Sequence, residues 1–173
     1  MTAGQPDGLR EIRPEDIARN AFGSIGTDWM LVTAGGPGSW NTMTAAWGAM
    51  GHLWERNVCF AFVRPRRHTF SFMEACATFS LSFFPPEWRK ALEYCGTHSG
   101  RDTDKAAATG LEPFEVIEGC VAFTQADLVI ACRKIHVLDI DPAGFIDDSI
   151  ADLYPERDYH RMYVGEVVRV LER

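Results

Sequence analysis

Short segments rich in β-branched and aromatic residues, separated by turn residues, dominate the chain from residue 29 onward. Such segments predict β-strands, because Val, Ile, Thr, Phe, Tyr and Trp suit a pleated, half-buried surface. A Gly/Pro turn at residues 35–38 suggests a hairpin between the first two strands. The predicted strands are residues 29–35, 42–51, 58–65, 78–84, 119–125, 126–140 and 162–172.

Helices are predicted to be few and short. Proline in the first turn, capping residues and terminal glycines mark their ends. The third helix carries an apolar stripe and ends at Gly96, and the fourth is expected to be capped by Asp102 or Thr103 and to end at Gly110. The predicted helices are residues 14–22, 68–77 (beginning near Thr69), 85–96 and 102–110. Many strands with few, short helices favour a mainly β antiparallel barrel or sandwich over alternating β-α-β units.

Length and charge narrow the class of protein. A chain of 173 residues fits one domain, so residues 1–173 are predicted to form a single domain behind a loose lead-in at residues 1–10. The net charge of −7 disfavours a general nucleic-acid partner, since phosphate backbones are held by clustered Lys and Arg. No segment has the apolar run of a signal peptide or a membrane span. We therefore expect a cytoplasmic protein with no membrane partner.

The sequence lacks several familiar catalytic and binding motifs. The five cysteines have irregular gaps and no C-x-x-C pair, and the histidines lack metal-ligand spacing, so no disulfide framework or metal site is predicted. The glycine-rich turn fits neither a dinucleotide-binding fingerprint nor a P-loop. The sequence contains no G-x-S-x-G motif, so hydrolase chemistry is not supported. Any nucleotide cofactor must be held by another architecture.

Two basic segments are candidate anion sites. "VRPRRHT" at residues 63–69 sets three arginines and a histidine before a predicted helix start, where free N–H groups favour phosphate. "YCGTHSGRDTDK" at residues 94–105 joins two predicted helices by a turn through Ser99 and Gly100, and its backbone N–H groups, Ser99, Arg101 and Lys105 could all face an anion. The alternatives are a solvated loop for the first segment and a capped connection for the second. Two such segments in an acidic protein favour a phosphorylated ligand.

The stretch "WNTMTAAWGAMGHLW" at residues 40–54 mixes three tryptophans with small and hydroxyl side chains. A flat aromatic cofactor needs an apolar wall and a few polar groups at its edge, and residues 41–46 offer both. The alternative is that the tryptophans are core or interface residues. His160, which precedes the last strand, is either a proton-handling site residue or a structural histidine.

Four segments, in order and spacing, resemble the flavin reductase-like family of FMN-binding split barrels, especially its flavoredoxin-type branch. They are "NTMTAAWG", "VRPRRHTFSFM", "FSLSFFPPEWRKALEYCGTHSGRDTDKAAATGL" and "DYHRMYVGEV". The resemblance as a whole covers about residues 20–170. The resemblance implies a six-stranded Greek-key split β-barrel with added helices. It also implies a homodimer with FMN at or near the subunit interface, and a nicotinamide that stacks on the flavin without a domain of its own.

The resemblance also implies the residues of the site. It places the isoalloxazine ring and ribityl chain along Asn41, Thr42, Met43, Thr44 and Ala45. It places the ribityl chain and phosphate near Arg64, Pro65, Arg67 and Thr69, with Ser99, Gly100 and Lys105 completing the phosphate site. His160 falls where relatives often have a histidine close to the flavin or nicotinamide. Relatives commonly carry an aromatic residue at the position of His68 and a smaller residue at that of Arg66.

The function that the resemblance implies is an FMN-dependent oxidoreductase. A hydride from NADH or NADPH would reduce the flavin, and electrons would pass to an acceptor such as a partner oxygenase. One alternative is a flavoredoxin-like electron carrier that binds FMN tightly and is reduced by a protein donor. Another is a flavin-binding module without redox turnover, since a fold does not fix function.

Overall fold

The computed structural model describes residues 6–173, and ten β-strands are the main regular structure in this part of the chain. The lead-in expected at residues 1–10 lies partly outside the described residues. Within them Leu9 is already buried. The strands are β1 Arg10–Ile12, β2 Met30–Gly36, β3 Ser39–Ala45, β4 Gly48–Leu53, β5 Arg56–Val63, β6 Thr78–Phe83, β7 Pro113–Ile117, β8 Cys120–Phe123, β9 Leu128–Asp139 and β10 Arg161–Glu172.

One antiparallel sheet forms the centre of the molecule, in the order β3-β2-β6-β9-β10-β5-β4, with β1 paired to the end of β10. β7 and β8 form a separate hairpin. β3 and β4 lie at opposite ends of this order, yet only Ala46 and Trp47 separate them in sequence. Since two residues cannot bridge an open seven-strand sheet at about 3.3–3.6 Å per residue, the sheet must curve round until its ends meet.

The helices are short and lie outside the sheet. α1 is Ala21–Gly23 and continues into a π-helix at Ser24–Asp28, α2 is His68–Ala75, α3 is Arg89–Thr97 and α4 is Lys105–Thr109. Short 3-10 helices occupy Pro14–Asp16, Pro86–Trp88, Pro142–Gly144 and Asp148–Leu153. None of the helices in residues 6–173 is long and apolar enough to cross a membrane.

Side chains of the central strands alternate between two apolar clusters. Val32 of β2 and Leu81 of β6 lie in one cluster, whereas Leu31 lies in the other with α3 and the β7–β8 hairpin. This follows from the two-residue period of a strand, which sends neighbouring side chains to opposite faces. All five cysteines are free, and every one except Cys76 is buried. The four buried cysteines pack in the core as small hydrophobic side chains.

The predicted mainly β fold with few short helices is confirmed, with several differences in detail. The sheet has eight strands where six were expected, and β7 was not predicted. The strand predicted at residues 42–51 is interrupted by the corner at Ala46–Trp47. Periodicity could not show this break, because residues on both sides of it are strand formers.

Two predicted helix boundaries are also wrong. Residues 14–22 do not form one helix, because Asn20 caps a new one by accepting a hydrogen bond from the N–H of Gly23 at 3.1 Å. The cap of α4 is Asp104, which accepts from the N–H of Ala107 at 3.1 Å, rather than Asp102 or Thr103. The predicted end at Gly110 is confirmed by its left-handed φ of 75°.

Candidate functional site

Two adjoining cavities open beside β3. The first, which we call the basic cavity, has a volume of about 280 Å³ and lies between β3, the start of α2 and the segment 97–105. The second, which we call the corner cavity, has a volume of about 150 Å³ and lies at the β3–β4 corner. Met43 and Arg67 line both. The two cavities therefore form one continuous cleft along the strand.

The N-terminus of α2 faces the basic cavity through His68 and Thr69. Arg67 occupies the N-cap position, and its side chain does not cap the helix. The first N–H groups of a helix have no intrahelical partner and carry partial positive charge, so an anion is the natural acceptor for them. Thr69 is buried, and its hydroxyl oxygen accepts a hydrogen bond from Nδ2 of Asn41 at 2.7 Å. Its own hydroxyl hydrogen is left to donate.

Gly100 brings the segment 97–101 against β3. A Cβ atom on Gly100 would lie 1.9 Å from Oδ1 of Asn41. Asn41 is buried and tied to Thr69, so it has little room to withdraw. Only glycine permits this approach, which forms one wall of the basic cavity.

Lys105 is a buried cation at the base of the same cavity. Its ammonium group donates to the carbonyl oxygens of Thr42 and Cys95, each at 2.7 Å. Burial lowers the pKa of Lys105, nearby Arg67 lowers it further, and Cys95 opposes the shift. An ammonium group has three N–H donors, so one remains for a ligand after these two hydrogen bonds.

Basic side chains dominate the lining of this cavity, although the chain as a whole carries a charge of −7. Arg67 donates to the carbonyl oxygen of Gly96 at 2.7 Å, and its pKa is lowered by burial and then by Arg66 and Arg64. No carboxylate is present among the residues that line the cavity. The basic residues are Arg66, Arg67, His68, His98, Arg101 and Lys105. Their combined field makes the cavity a site for an anion.

The corner cavity has a different character. Met43, Ala45 and Phe62 give it apolar walls, and Trp47 stands at its rim with 41% of its surface exposed. The ring of Trp47 lies 4.8 Å from that of His160. Apolar walls beside a strand edge suit a flat aromatic group.

His160 is buried beside the corner cavity and is uncharged at neutral pH. Its Nδ1 lies 2.9 Å from the hydroxyl oxygen of Tyr154. Burial lowers the pKa of His160 to about 4, the positive charges of Arg64 and Arg67 act in the same direction, and Asp158 opposes them. An imidazole in this state can accept or donate a hydrogen bond, but it carries no proton to give up as an acid near pH 7.

Arg64 links this region to the chain segment before β10. Its guanidinium donates to Oδ1 of Asp158 at 2.9 Å and to the carbonyl oxygen of Leu153 at 3.0 Å. Asp158 also forms an ion pair with Arg66, with 2.8 Å between Oδ2 and Nε. These contacts fix the positions of Tyr154 and His160 over the corner cavity.

The structure brings most of the predicted site residues together. The basic cavity collects Asn41, Met43, Arg67, Thr69, Ser99, Gly100 and Lys105, and the corner cavity collects Met43, Thr44, Ala45, Arg64, Arg67 and His160. Thr42 and Pro65 line neither cavity. The hydroxyl of Thr42 lies in the core, 2.8 Å from that of Thr33, because alternate strand residues face inward. Thr42 contributes to the site only through its carbonyl oxygen, which accepts a hydrogen bond from the ammonium group of Lys105.

Several lining residues were not predicted. Arg101 was predicted from the second basic segment to face an anion, and it lines the basic cavity; His98 on the same segment was not predicted, although its basic side chain was a usable signal. Phe62 was hidden inside a strand-like apolar run. Tyr154, which contacts His160, lies in a segment without any periodic pattern, so no sequence signal indicated its position.

The residues of this cleft fit a flavin nucleotide. An uncapped helix start, a buried ammonium and a wall that only Gly100 allows form a seat for phosphate. The apolar-walled corner cavity begins on the same strand. A flavin nucleotide has a flat ring that matches the corner cavity and a chain ending in phosphate that matches the basic cavity.

Comparison with known proteins shows which structures this chain is similar to. The flavoredoxin of Methanosarcina acetivorans is similar in structure, with a TM-score of 0.67 and 20% identity over 84% of this chain and 68% of that chain. The FMN-binding protein of Thermus thermophilus gives a TM-score of 0.66 and 22% identity over 94% of this chain and 80% of that chain. The NADH:FAD oxidoreductase of Streptomyces globisporus C-1027 gives a TM-score of 0.66 and 19% identity over 94% of this chain and 86% of that chain.

These structural similarities show that the chain shares the fold of these proteins. No curated protein sequence matches the chain. The family model of the flavin reductase like domain matches residues 22–173, which is most of the chain. The resemblance seen in the sequence is thus confirmed, and the chain belongs to the family of flavin reductase like domains.

Proposed function

We propose that this protein is an FMN-dependent oxidoreductase that takes a hydride from NADH or NADPH and passes electrons to an acceptor. One observation carries the proposal: a basic cavity and an apolar-walled cavity are joined along β3 through Met43 and Arg67. FMN has the same arrangement, because its phosphate lies at one end of the molecule and its isoalloxazine ring at the other. The flavin, when bound, supplies the capacity to accept and release electrons.

The protein's own residues bind and orient the nucleotide. In the basic cavity, the N-terminus of α2, the hydroxyl of Thr69, the ammonium of Lys105 and the backbone of the segment 97–101 hold the phosphate. β3 is an edge strand that pairs only with β2, so alternate N–H and C=O groups along it are free of sheet partners. These groups are available to the polar edge of the ring. N–H groups placed there stabilise negative charge on a reduced ring.

The first prediction concerns Thr69. Replacing Thr69 by Ala removes a buried hydroxyl donor from the phosphate seat and a partner from Asn41. Because a hydrogen bond to a charged group contributes about 1.5–3 kcal/mol, we expect FMN binding to weaken about tenfold or more. Quenching of flavin fluorescence during titration with protein measures the dissociation constant.

The matched control is Ser71→Ala on the same helix. Ser71 is exposed, and its hydroxyl donates to the carbonyl oxygen of His68 at 2.9 Å, away from the cavity. This variant is expected to bind FMN like the unmodified protein. Equal dissociation constants for all three proteins would remove Thr69 from the phosphate site.

The second prediction separates a reductase from an electron carrier. Flavoredoxins are among the structural neighbours, which supports a carrier that a protein donor reduces. If the protein is a reductase, NADH or NADPH oxidation will be fast and will rise with added FMN until the site is saturated. Absorbance at the nicotinamide band follows this directly. Slow oxidation that does not respond to FMN would favour the carrier, and FMN binding with no oxidation would indicate a binding module without turnover.

We propose that His160 orients the ring or the nicotinamide as a neutral hydrogen-bonding group. Its Nδ1 is engaged with Tyr154, and Nε2 has no hydrogen-bond partner among residues 6–173. With a pKa of about 4, it does not act as a general acid near neutral pH. The sequence alone left proton transfer open as a role.

The low pKa of His160 leads to the third prediction. In the unfolded chain its pKa returns to the ordinary 6.5, so between about pH 6.5 and pH 4 the unfolded state binds more protons. The stabilisation from keeping His160 neutral is complete above 6.5 and is lost as pH falls toward 4. We expect His160→Gln to reduce the loss of stability between about pH 7 and about pH 5, measured by urea unfolding.

Other groups titrate in this range, so a control variant is required. His136→Gln changes an exposed histidine and should keep the pH dependence of the unmodified protein. If the free energy of unfolding of the His160→Gln protein falls with pH as steeply as that of the unmodified protein, burial does not hold His160 neutral.

We also propose that the protein is a homodimer, joined through an apolar groove beside the corner cavity. Ala46, Trp47 and Phe62 line both the corner cavity and this groove, whose volume is about 670 Å³. Phe22 at its edge is 90% exposed. An exposed contiguous apolar surface of this kind is typical of an interaction site.

The fourth prediction tests this interface. Phe22→Glu places a charge in the groove and should shift the protein toward monomer, as measured by sedimentation equilibrium. Ile146, which is fully exposed and lies outside the groove, provides the control through Ile146→Glu. An unmodified protein that sediments as a monomer, or a Phe22→Glu protein that stays dimeric, would contradict the assignment.

The acceptor and the location are also part of the proposal. An oxygenase that uses reduced flavin is one candidate acceptor, and another redox protein is the second. A cytoplasmic location fits the supply of NADH and NADPH and stays a prediction.

A further inference from the structure

The hydroxyl group of Tyr154 makes one hydrogen bond within residues 6–173, and its partner is Nδ1 of His160 at 2.9 Å. Both side chains are buried, since Tyr154 has 4% and His160 has 7% of its surface exposed. A buried polar group without a partner is costly, so these two groups must satisfy each other. His160 is neutral near pH 7, and the direction of this hydrogen bond therefore decides which of its ring nitrogens carries the hydrogen.

Only one direction satisfies both groups. If Nδ1–H of His160 donated to the oxygen of Tyr154, the phenol hydrogen would be buried with no acceptor in the described part of the chain. If the phenol O–H donates to Nδ1, no buried donor is left over. A phenol is also a stronger acid, and hence a stronger donor, than the N–H of a neutral imidazole. Tyr154 is thus the donor, and the ring hydrogen of His160 must lie on Nε2.

The segment that carries Tyr154 is held on both sides of this residue by one guanidinium group. Arg64 donates to the carbonyl oxygen of Leu153 at 3.0 Å and to Oδ1 of Asp158 at 2.9 Å. The Cζ atom of Arg64 also lies 5.0 Å from the centre of the Tyr154 ring. A ring fixed by its neighbours in this way keeps its hydroxyl group against His160.

Nε2 is the atom that His160 can offer to the corner cavity. His160 lines this cavity, its other ring nitrogen faces Tyr154, and Nε2 has no hydrogen-bond partner within residues 6–173. Nε2 is also absent from the fully buried, unpartnered atoms of this part of the chain, so a ligand can reach it. An N–H group at a largely apolar wall selects an acceptor such as a carbonyl oxygen. The isoalloxazine ring and the carboxamide group of nicotinamide both carry one.

We propose that Tyr154 is a positioning residue that holds His160 in its Nε2–H form, so that the wall of the corner cavity presents a hydrogen-bond donor to a carbonyl oxygen of the bound ligand. This inference rests on the proposed flavin site and deepens it. Tyr154 does not line the corner cavity, so it acts through His160 alone. A second group that fixes the tautomer and orientation of a functional histidine is a recurring arrangement in proteins.

The test reads the tautomer directly. Long-range ¹H–¹⁵N correlation NMR of the labelled protein, without ligand at neutral pH, shows which ring nitrogen carries the hydrogen. The signals that disappear in the His160→Gln variant belong to His160. We expect a single form, with hydrogen on Nε2 and none on Nδ1. Hydrogen on Nδ1 in the unmodified protein, or a mixture of the two forms, would overturn the inference without the need for any further variant.

Tyr154→Phe keeps the aromatic ring and removes only the hydroxyl group. Nδ1 then has no donor, so we expect the single form to give way to a mixture of both. Tyr159→Phe is the matched control, because the ring of Tyr159 packs beside that of Tyr154 with centroids 4.9 Å apart, and no hydrogen bond within residues 6–173 joins its hydroxyl to His160. The control should keep the Nε2–H form. A Tyr154→Phe protein that also keeps this form alone contradicts a positioning role.

Added ligands then identify the acceptor. FMN is added first and NAD⁺, which cannot reduce it, second, while the Nε2 proton is followed. A downfield shift with FMN assigns the acceptor to the flavin ring, and a shift that appears only with NAD⁺ assigns it to the carboxamide. If FMN quenching shows binding and neither addition moves this proton, the donor role of His160 is wrong. If FMN does not bind, the function proposed above fails, whereas the tautomer set by Tyr154 is decided by the spectra recorded without ligand.

Discussion

The ammonium group of Lys105 holds together the parts from which the site is built. It donates to the carbonyl of Thr42 on β3 and to that of Cys95 on α3, and it sits at the first position of α4. A buried charge is costly unless it is hydrogen-bonded, so these contacts must form together when the chain folds. The helical layer is thereby fixed against the sheet at the place where the basic cavity opens. The group that stabilises the fold also supplies positive charge to the site.

The second constraint is the corner between β3 and β4. Ala46 and Trp47 carry the chain from one end of the strand order to the other, which curves the sheet round without pairing β3 to β4. β3 therefore remains an edge strand along the cleft, with backbone groups that no other strand uses. The curvature of the sheet and the wall of the corner cavity depend on the same few residues. The small side chains Ala45 and Ala46 leave space beside the backbone there, and Trp47 stands at the rim of the corner cavity.

The sequence predicted the fold, and which segments meet around the candidate site, better than it predicted side-chain directions. Strand content and both basic segments follow from local composition, which acts at short range. The inward direction of Thr42 depends on strand register, and the pairing of Tyr154 with His160 depends on a segment held by Arg64 and Asp158. The bend at Ala46 depends on the closure of the whole sheet. Such features are set by long-range contacts, which single-sequence patterns do not encode.

The burial of the cysteines has a chemical consequence. Burial raises the pKa of Cys95 to about 11 and that of Cys120 to about 12, and it raises that of Cys132 strongly as well. Oxidants and disulfides react with the thiolate, and these side chains hold very little of it near neutral pH. The interior sulfur atoms are thus poor targets for peroxide. Thiol oxidation is an unfavourable side path, and the core keeps its packing under oxidising conditions.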